Sequence, residues 1–386
     1  MPPRCPFANA TTYDPKRMVD AQFDESTDET EPKPGARVLW LAAGLIVAAF
    51  IGVGAVYISN SRVEDPPPVT ATVATGTRDV VTPNLELTMP DPRSVEPYRG
   101  YGTWVDVFDF DPAYSPPTVD AADIAEMADL GVGTLYLQVA RLDDRTPDGL
   151  VDPWLLTEMV LTAHAEGIDV VAWYLPRFEA TTEDVDRVVA MSEFEVLGER
   201  FDGIGVDIEW IGPDRAGNPI DDETRTSRLL SLSDTLERSI DGPLAAIVPP
   251  PVQMEVINTS FWPGFPWSDL ALTYDVWMPM SYWSFRSDSS GYGEGYTYHK
   301  ESTRRLRDNV GDPAALVHGI GGIGGLDGID DPPDPPEPLA THEEVERFVL
   351  ALDDTGSIGG SIYDWNTLEP LVRTRLAELF ISVPSG

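Results

Sequence analysis

The chain has 386 residues, 42% of them apolar, which is enough for one large domain or two ordinary ones. Its 26 basic residues stand against 65 acidic ones, and a net charge of -39 argues against a nucleic acid partner. A single cysteine, Cys5, excludes an intramolecular disulfide, and the four histidines lack the spacing of common metal motifs, so we expect no metal and no other cofactor.

The N-terminal part of the chain predicts a membrane anchor. Residues 1–36 are polar and acidic, and we interpret them as a disordered cytoplasmic tail. A single transmembrane helix is predicted over 37–59, because residues 38–58 are uncharged and the run is long enough to cross a bilayer. A cleaved signal peptide is the alternative, which the length of the run and the polar residues before it disfavour.

The charges around this run predict its orientation. Lys33 and Arg37 precede it, so the positive-inside rule places the C-terminal domain outside the cell membrane. Residues 60–98 are rich in Pro and Thr and are interpreted as a stalk between the membrane and that domain.

Residues 99–384 alternate between short β-branched or aromatic runs and longer amphipathic stretches. This repeat predicts an α/β fold, a (β/α)8 TIM barrel behind the single transmembrane helix. A doubly wound open sheet is the alternative, but no glycine-rich dinucleotide turn follows the first strand. The predicted strands are 102–108, 132–139, 169–175, 203–210, 244–249, 276–283, 314–320 and 359–365.

The fourth of these strands carries two carboxylates at its C-terminal end, where barrel enzymes place their chemistry. Side chains alternate along a strand, so Asp207 and Glu209 are predicted to face the barrel axis together with Gly203 and Gly205. Neighbouring buried carboxylates repel, so one of them retains a proton that can serve in acid catalysis. The alternative is a purely structural pair that hydrogen-bonds within the barrel mouth.

The segment 201–210, FDGIGVDIEW, resembles the fourth-strand motif of family 18 glycoside hydrolases, the chitinases and their relatives. Asp202, Asp207 and Glu209 match the first, last and catalytic acids of that motif, whereas Gly205 stands where the family has its middle Asp. The resemblance implies a barrel that hydrolyses glycosidic bonds, with Glu209 as general acid and then general base.

The sixth predicted strand, WMPMSYW, is similar to the Met-x-Tyr-Asp motif of the same family. Met280 and Tyr282 match, and Trp283 replaces the Asp. In family 18 the substrate's own acetamido group is the nucleophile, and the resemblance implies that Asp207 and Tyr282 assist it.

The departures at Gly205 and Trp283 leave a second route open, in which a protein carboxylate is the nucleophile. Candidates from other strand ends are Asp106, Glu179 and Asp364. Family 25 lysozymes, which act on peptidoglycan, are similar in carrying Asp-x-Glu at a strand end.

Residues near the strand ends are predicted to bind the substrate, because polar groups fix a sugar and aromatic rings stack on its apolar face. The eighth strand, GGSIYDW, resembles the family 18 strand that supplies a tryptophan floor. The candidates are Asp106, Gln138, Tyr174, Trp283, Asp364 and Trp365.

These patterns predict a membrane-anchored, extracytoplasmic glycoside hydrolase acting on a polysaccharide or on cell-wall peptidoglycan. Its predicted catalytic residues are Glu209, Asp207 and Tyr282. One alternative is a barrel that binds envelope glycans without catalysis, and another is a structural module of the envelope without a sugar site.

Overall fold

The computed structural model describes residues 92–382, apart from 144, 147, 148, 287 and 323–339. The predicted tail, the transmembrane run 38–58 and nearly all of the stalk lie outside these residues. Within the described part of the chain, no helix combines the length and the apolar character needed to span a membrane.

Eight parallel strands close into a barrel, as the sequence predicts. Each strand pairs with its sequence neighbours, and the last pairs with the first. The strands are β1 (Gly100–Val105), β2 (Thr134–Ala140), β3 (Asp169–Tyr174), β4 (Gly203–Asp207), β5 (Leu244–Val248), β6 (Val276–Pro279), β7 (Leu316–Gly321) and β8 (Gly359–Ile362).

A helix follows each strand and covers the outside of the barrel. Several of these helices begin at an acidic residue whose side chain accepts a backbone N–H, as Asp120, Asp152, Asp221 and Glu294 do. The helices are α1 (Ala121–Asp129), α2 (Pro153–Ala165), α3 (Thr181–Glu193), α4 (Asp222–Ser239), α5 (Trp267–Leu270), α6 (Gly295–Val310), α7 (His342–Thr355) and α8 (Pro370–Ser382).

Side-chain alternation divides the core into two layers. On β4, Ile204 and Val206 belong to the large cluster between the strands and the helices. The second cluster fills the barrel, and Trp104, Trp173 and Ile247 are among its members. The even and odd positions of a strand therefore serve different layers, and this fixes which side chains reach the mouth.

The N-terminal end of the barrel, called the bottom below, is closed by Tyr98. Its hydroxyl donates to the Ile204 carbonyl and accepts the Ile204 N–H, at 3.0 and 2.8 Å. A Cβ on Gly203 would lie 2.7 Å from this hydroxyl oxygen, so glycine at this position lets Tyr98 enter. The other end of the barrel is the mouth.

Candidate active site

Asp207 is the last residue of β4, and Glu209 follows two residues later at the mouth. The Ile208 N–H donates to the Ile247 carbonyl of β5 at 2.7 Å, which continues the extended pairing past the end of β4. Ile208 packs into the outer layer, so the two acids face the axis, and they are only 5% and 7% exposed. Both predicted carboxylates therefore lie buried at the mouth.

The electrostatics of this pair favour retention of a proton. Burial, together with the negative charge of Glu209, raises the pKa of Asp207 well above its usual range. Acid catalysis near neutral pH needs a carboxyl group that is still protonated there, and a raised pKa provides one.

Tyr282 lies beyond β6, where the backbone continues beside its neighbours through a bond from the Met280 N–H to the Val248 carbonyl, 2.9 Å. Burial raises the pKa of Tyr282, and the negative charges of Glu209, Asp207 and Asp364 raise it further. The phenol therefore stays neutral and can donate a hydrogen bond. Because the charges of these acids act on its pKa, Tyr282 belongs to the same group of side chains at the mouth.

Asp106 lies directly after β1 and is held by its surroundings. One carboxylate oxygen accepts the Phe108 N–H at 2.7 Å, and the other accepts the Tyr363 hydroxyl at 2.9 Å. The Asp106 N–H in turn donates to Asp109 at 3.0 Å. This arrangement orients Tyr363 toward the axis, where its ring lies 6.2 Å from that of Tyr282.

Asp106, Asp109 and Asp364 form a buried acidic cluster, with one carboxylate oxygen of each within 4.8 Å of the others. Three such oxygens have the chemistry of a site for a hard cation. Each carboxylate already accepts a hydrogen bond from the protein. Asp106 and Asp109 accept the backbone N–H groups described above, and Asp364 accepts the Thr367 N–H at 2.9 Å. The three carboxylates are therefore held in place by hydrogen bonds within the protein.

Gln138 lies on the inner face of β2, as predicted for a mouth residue. Its carbonyl oxygen accepts the Val107 N–H at 3.2 Å. Its Nε2 is buried, and no described residue accepts a hydrogen bond from it. Gln138 thus fixes the segment after Asp106 and keeps a donor available inside the barrel.

Three predicted substrate-binding aromatics lie instead in the outer layer. Tyr174 follows the inward Trp173 and donates its hydroxyl to Asp184 of α3. Trp283 packs against Phe348 of α7, with the ring centroids 5.3 Å apart and the rings tilted. The indole N–H of Trp365 donates to Asp123 of α1 at 3.4 Å, and the guanidinium of Arg373 of α8 lies over its ring. The structure corrects the expectation that these three side chains line the mouth.

Two predicted acids are engaged elsewhere. Asp202, the first acid of the family-like motif, lies before β4 and accepts the Val170 N–H and a bond from His164, at 2.7 and 2.9 Å. It therefore stabilises the bottom of the barrel. Glu179 pairs with Arg177 and Arg215 at 3.3 and 2.9 Å, so its charge is already balanced.

The inner aromatics Trp104, Trp173 and Tyr363 are absent from the sequence-based candidates. Trp104 stacks on Tyr136 at 4.5 Å and contacts Trp173 edge-on at 5.8 Å. The signal was present in the sequence, because Trp104 is two residues before Asp106 and so shares its face.

Comparison with known proteins identifies the fold. No family model and no curated protein matches the sequence. The chitinase RmChi1 of Rhizomucor miehei is 15% identical with a TM-score of 0.50, covering 73% of this chain and all (100%) of that one. The endo-1,4-β-mannanase of the same organism is 10% identical with a TM-score of 0.51, covering 74% and 94%. The chain has the barrel fold of these hydrolases.

A third solved structure agrees. The endo-β-1,4-mannanase of Thermotoga petrophila is 10% identical with a TM-score of 0.50, covering 74% of this chain and 77% of that one. The resemblance to the chitinase barrel, which three short segments suggest, is thus confirmed for the fold.

Proposed function

We propose that the protein is a glycoside hydrolase in which Glu209 protonates the glycosidic oxygen. The observation that carries the proposal is the buried Asp207–Glu209 pair at the mouth, where burial and the charge of Glu209 raise the pKa of Asp207. Such a pair retains a proton that an exposed carboxylate would lose, and a glycosidic oxygen needs that proton in order to leave.

The reaction begins with a proton on Glu209. The proton passes to the glycosidic oxygen as the bond from that oxygen to the anomeric carbon breaks and a nucleophile bonds to the anomeric carbon. Water then bonds to the anomeric carbon, displaces the nucleophile and gives a proton to the Glu209 carboxylate, so each residue returns to its starting state. Tyr282, neutral because of its raised pKa, donates a hydrogen bond beside the reacting centre.

Two nucleophiles are compatible with this scheme. Asp364 is the carboxylate outside the pair whose charge also acts on Tyr282, so it is the candidate for a protein nucleophile. The family 18 route uses the substrate's acetamido group instead, with Asp207 as its partner. Asp364→Asn distinguishes the two routes. The substitution should abolish activity if Asp364 is the nucleophile, and it should leave the acetamido route in place.

The substrate is proposed to be a polysaccharide or cell-wall glycan. Similarity of the fold to a chitinase and to mannanases supports this class of substrate. The buried polar groups at the mouth support it as well, because sugars offer many hydroxyls to such groups.

The decisive experiment compares Glu209→Gln with the wild type on soluble chitin, mannan, glucan and peptidoglycan fragments. We expect wild-type cleavage of at least one glycan and a loss of about 100-fold or more in the variant, as for removal of a general acid. The matched control is Glu166→Gln, since Glu166 is exposed in the turn before β3 at the bottom. Wild-type binding without products would contradict the proposal and favour the non-catalytic barrel.

We also propose, from the sequence, that residues 38–58 anchor the protein and that the barrel lies outside the cell membrane. The length of the uncharged run and the basic residues before it support this arrangement. The full chain should partition with membranes, and external protease should digest the barrel in intact cells. Recovery in the soluble fraction, or protection of the barrel, would contradict the proposal.

A further inference from the structure

Three buried polar groups on adjacent strands lack hydrogen-bond partners among the described residues. They are Nε2 of Gln138 on β2, Nε1 of Trp173 on β3 and Oδ1 of Asp207 on β4. Their side chains are only 1%, 2% and 5% exposed. Buried polar groups are almost always paired, so the partners of these three are expected to come from a ligand or from water that a ligand displaces.

The strand register brings these groups together. Gln138 is aligned with Trp173 across the β2–β3 pair, and Trp173 is aligned with Gly205 across the β3–β4 pair. Asp207 lies two residues after Gly205 and therefore on the same inner face. Gly205 has no side chain, so none from β4 separates Trp173 from Asp207.

The chemistry of the group defines the ligand atom. Two N–H donors face an oxygen acceptor, and a hydroxyl can accept from the former and donate to the latter. The nearby carboxylates of Asp106, Asp109 and Asp364, clustered within 4.8 Å, would repel a negatively charged ligand. A neutral sugar hydroxyl fits these groups, whereas the carboxylate of an acidic sugar does not.

We infer that Gln138 and Trp173 are specificity-determining residues that bind a hydroxyl of a neutral sugar beside Asp207. The hydroxyl oxygen accepts from both Nε2 of Gln138 and Nε1 of Trp173, and its hydrogen is donated to Oδ1 of Asp207. This inference rests on the proposed function and narrows it to neutral glycans.

Binding is measured by calorimetry in the Glu209→Gln background, where turnover does not interfere. The probes are tetramers of N-acetylglucosamine, mannose and glucose, with a tetramer of galacturonic acid as the acidic counterpart. Gln138→Met and Trp173→Phe should each weaken neutral binding about three- to tenfold, the worth of one buried hydrogen bond. Trp277→Phe is the matched control, because it makes the same change in the buried outer layer of β6.

Neutral binding that weakens in both mouth variants but not in the control supports the inference. Unchanged affinity in either folded mouth variant, no binding of any neutral tetramer, or equal binding of the acidic tetramer would overturn it. If Trp173→Phe fails to fold, Gln138→Met still decides. A failure of the proposed catalysis has a different result: the wild-type protein binds the glycan but forms no products.

Discussion

Asp207→Asn keeps the shape of a buried side chain at the mouth and removes its charge. Asp207 and Glu209 are two residues apart on an extended segment, so their Cα atoms lie about 6.6 Å apart. For two carboxylate charges at a comparable separation, the repulsion is about 2.5 kcal/mol at an effective dielectric constant of about 20. The substitution removes this repulsion whenever both groups would be ionised.

The pH dependence has a definite sign. The pKa of Asp207 is higher in the folded protein than in the unfolded chain. Its contribution to the free energy of unfolding is therefore fully present below the unfolded-state pKa and is lost as pH rises through the folded-state pKa. We therefore expect the variant to exceed the wild type in free energy of unfolding by about 2 kcal/mol at about pH 8, with the difference shrinking as pH falls. Its kcat should fall about 100-fold or more, because Asn exchanges no proton with Glu209.

Urea unfolding across this pH range and kcat on the cleaved glycan measure both effects. Asp184→Asn is the control, since burial raises the pKa of Asp184 to about 6 but its carboxylate accepts from Tyr174 in the outer layer. Its kcat should be unchanged. An Asp207→Asn variant that is less stable than the wild type at about pH 8, or that keeps full kcat, would refute the reasoning.

Three further predictions follow from the inner layer. Tyr282→Phe should keep the fold and lower kcat about 100-fold, as loss of one donor at a reacting centre does, and steady-state kinetics will show it. Gly205→Asp should lower the free energy of unfolding by about 2 kcal/mol or more, since its Cβ would lie 3.1 Å from Ile247 and a third acid would be buried; an unchanged urea midpoint would contradict this. Burial lowers the pKa of His318 to about 4. The neutral ring therefore contributes to the free energy of unfolding above the unfolded-state pKa, and this contribution is lost as pH falls toward 4. In acid titrations of stability, His318→Gln should lose about 3 kcal/mol less than the wild type over this range.

Much of the barrel could be predicted because each strand obeys a local rule. Ile204, Val206 and Ile208 are apolar at every second position, and the structure puts them in the outer layer. The same alternation turns Asp207 and Glu209 inward. Strand ends differ by a few residues, since pairing ends where the chain turns over the mouth.

The side chains beyond the strand ends were harder to place, for two physical reasons. Tyr174 and Trp283 directly follow the inward-facing Trp173 and Tyr282, so alternation turns them outward even though they lie near the mouth in sequence. Trp365 depends on the turn after β8, which no periodicity describes. Asp106 follows the first strand and Tyr363 follows the last. Their hydrogen bond forms because the barrel closes by pairing these two strands, and no local sequence pattern indicates it.

Tyr98, which fills the bottom of the barrel, gives the molecule a direction. We therefore expect the proposed glycan substrate to bind across the mouth and its products to leave from the same side. The segment that carries Tyr98 also brings the polypeptide into β1 from the opposite end. The described chain therefore enters the barrel at the bottom, and Asp207 and Glu209 lie at the other end, where the strands finish.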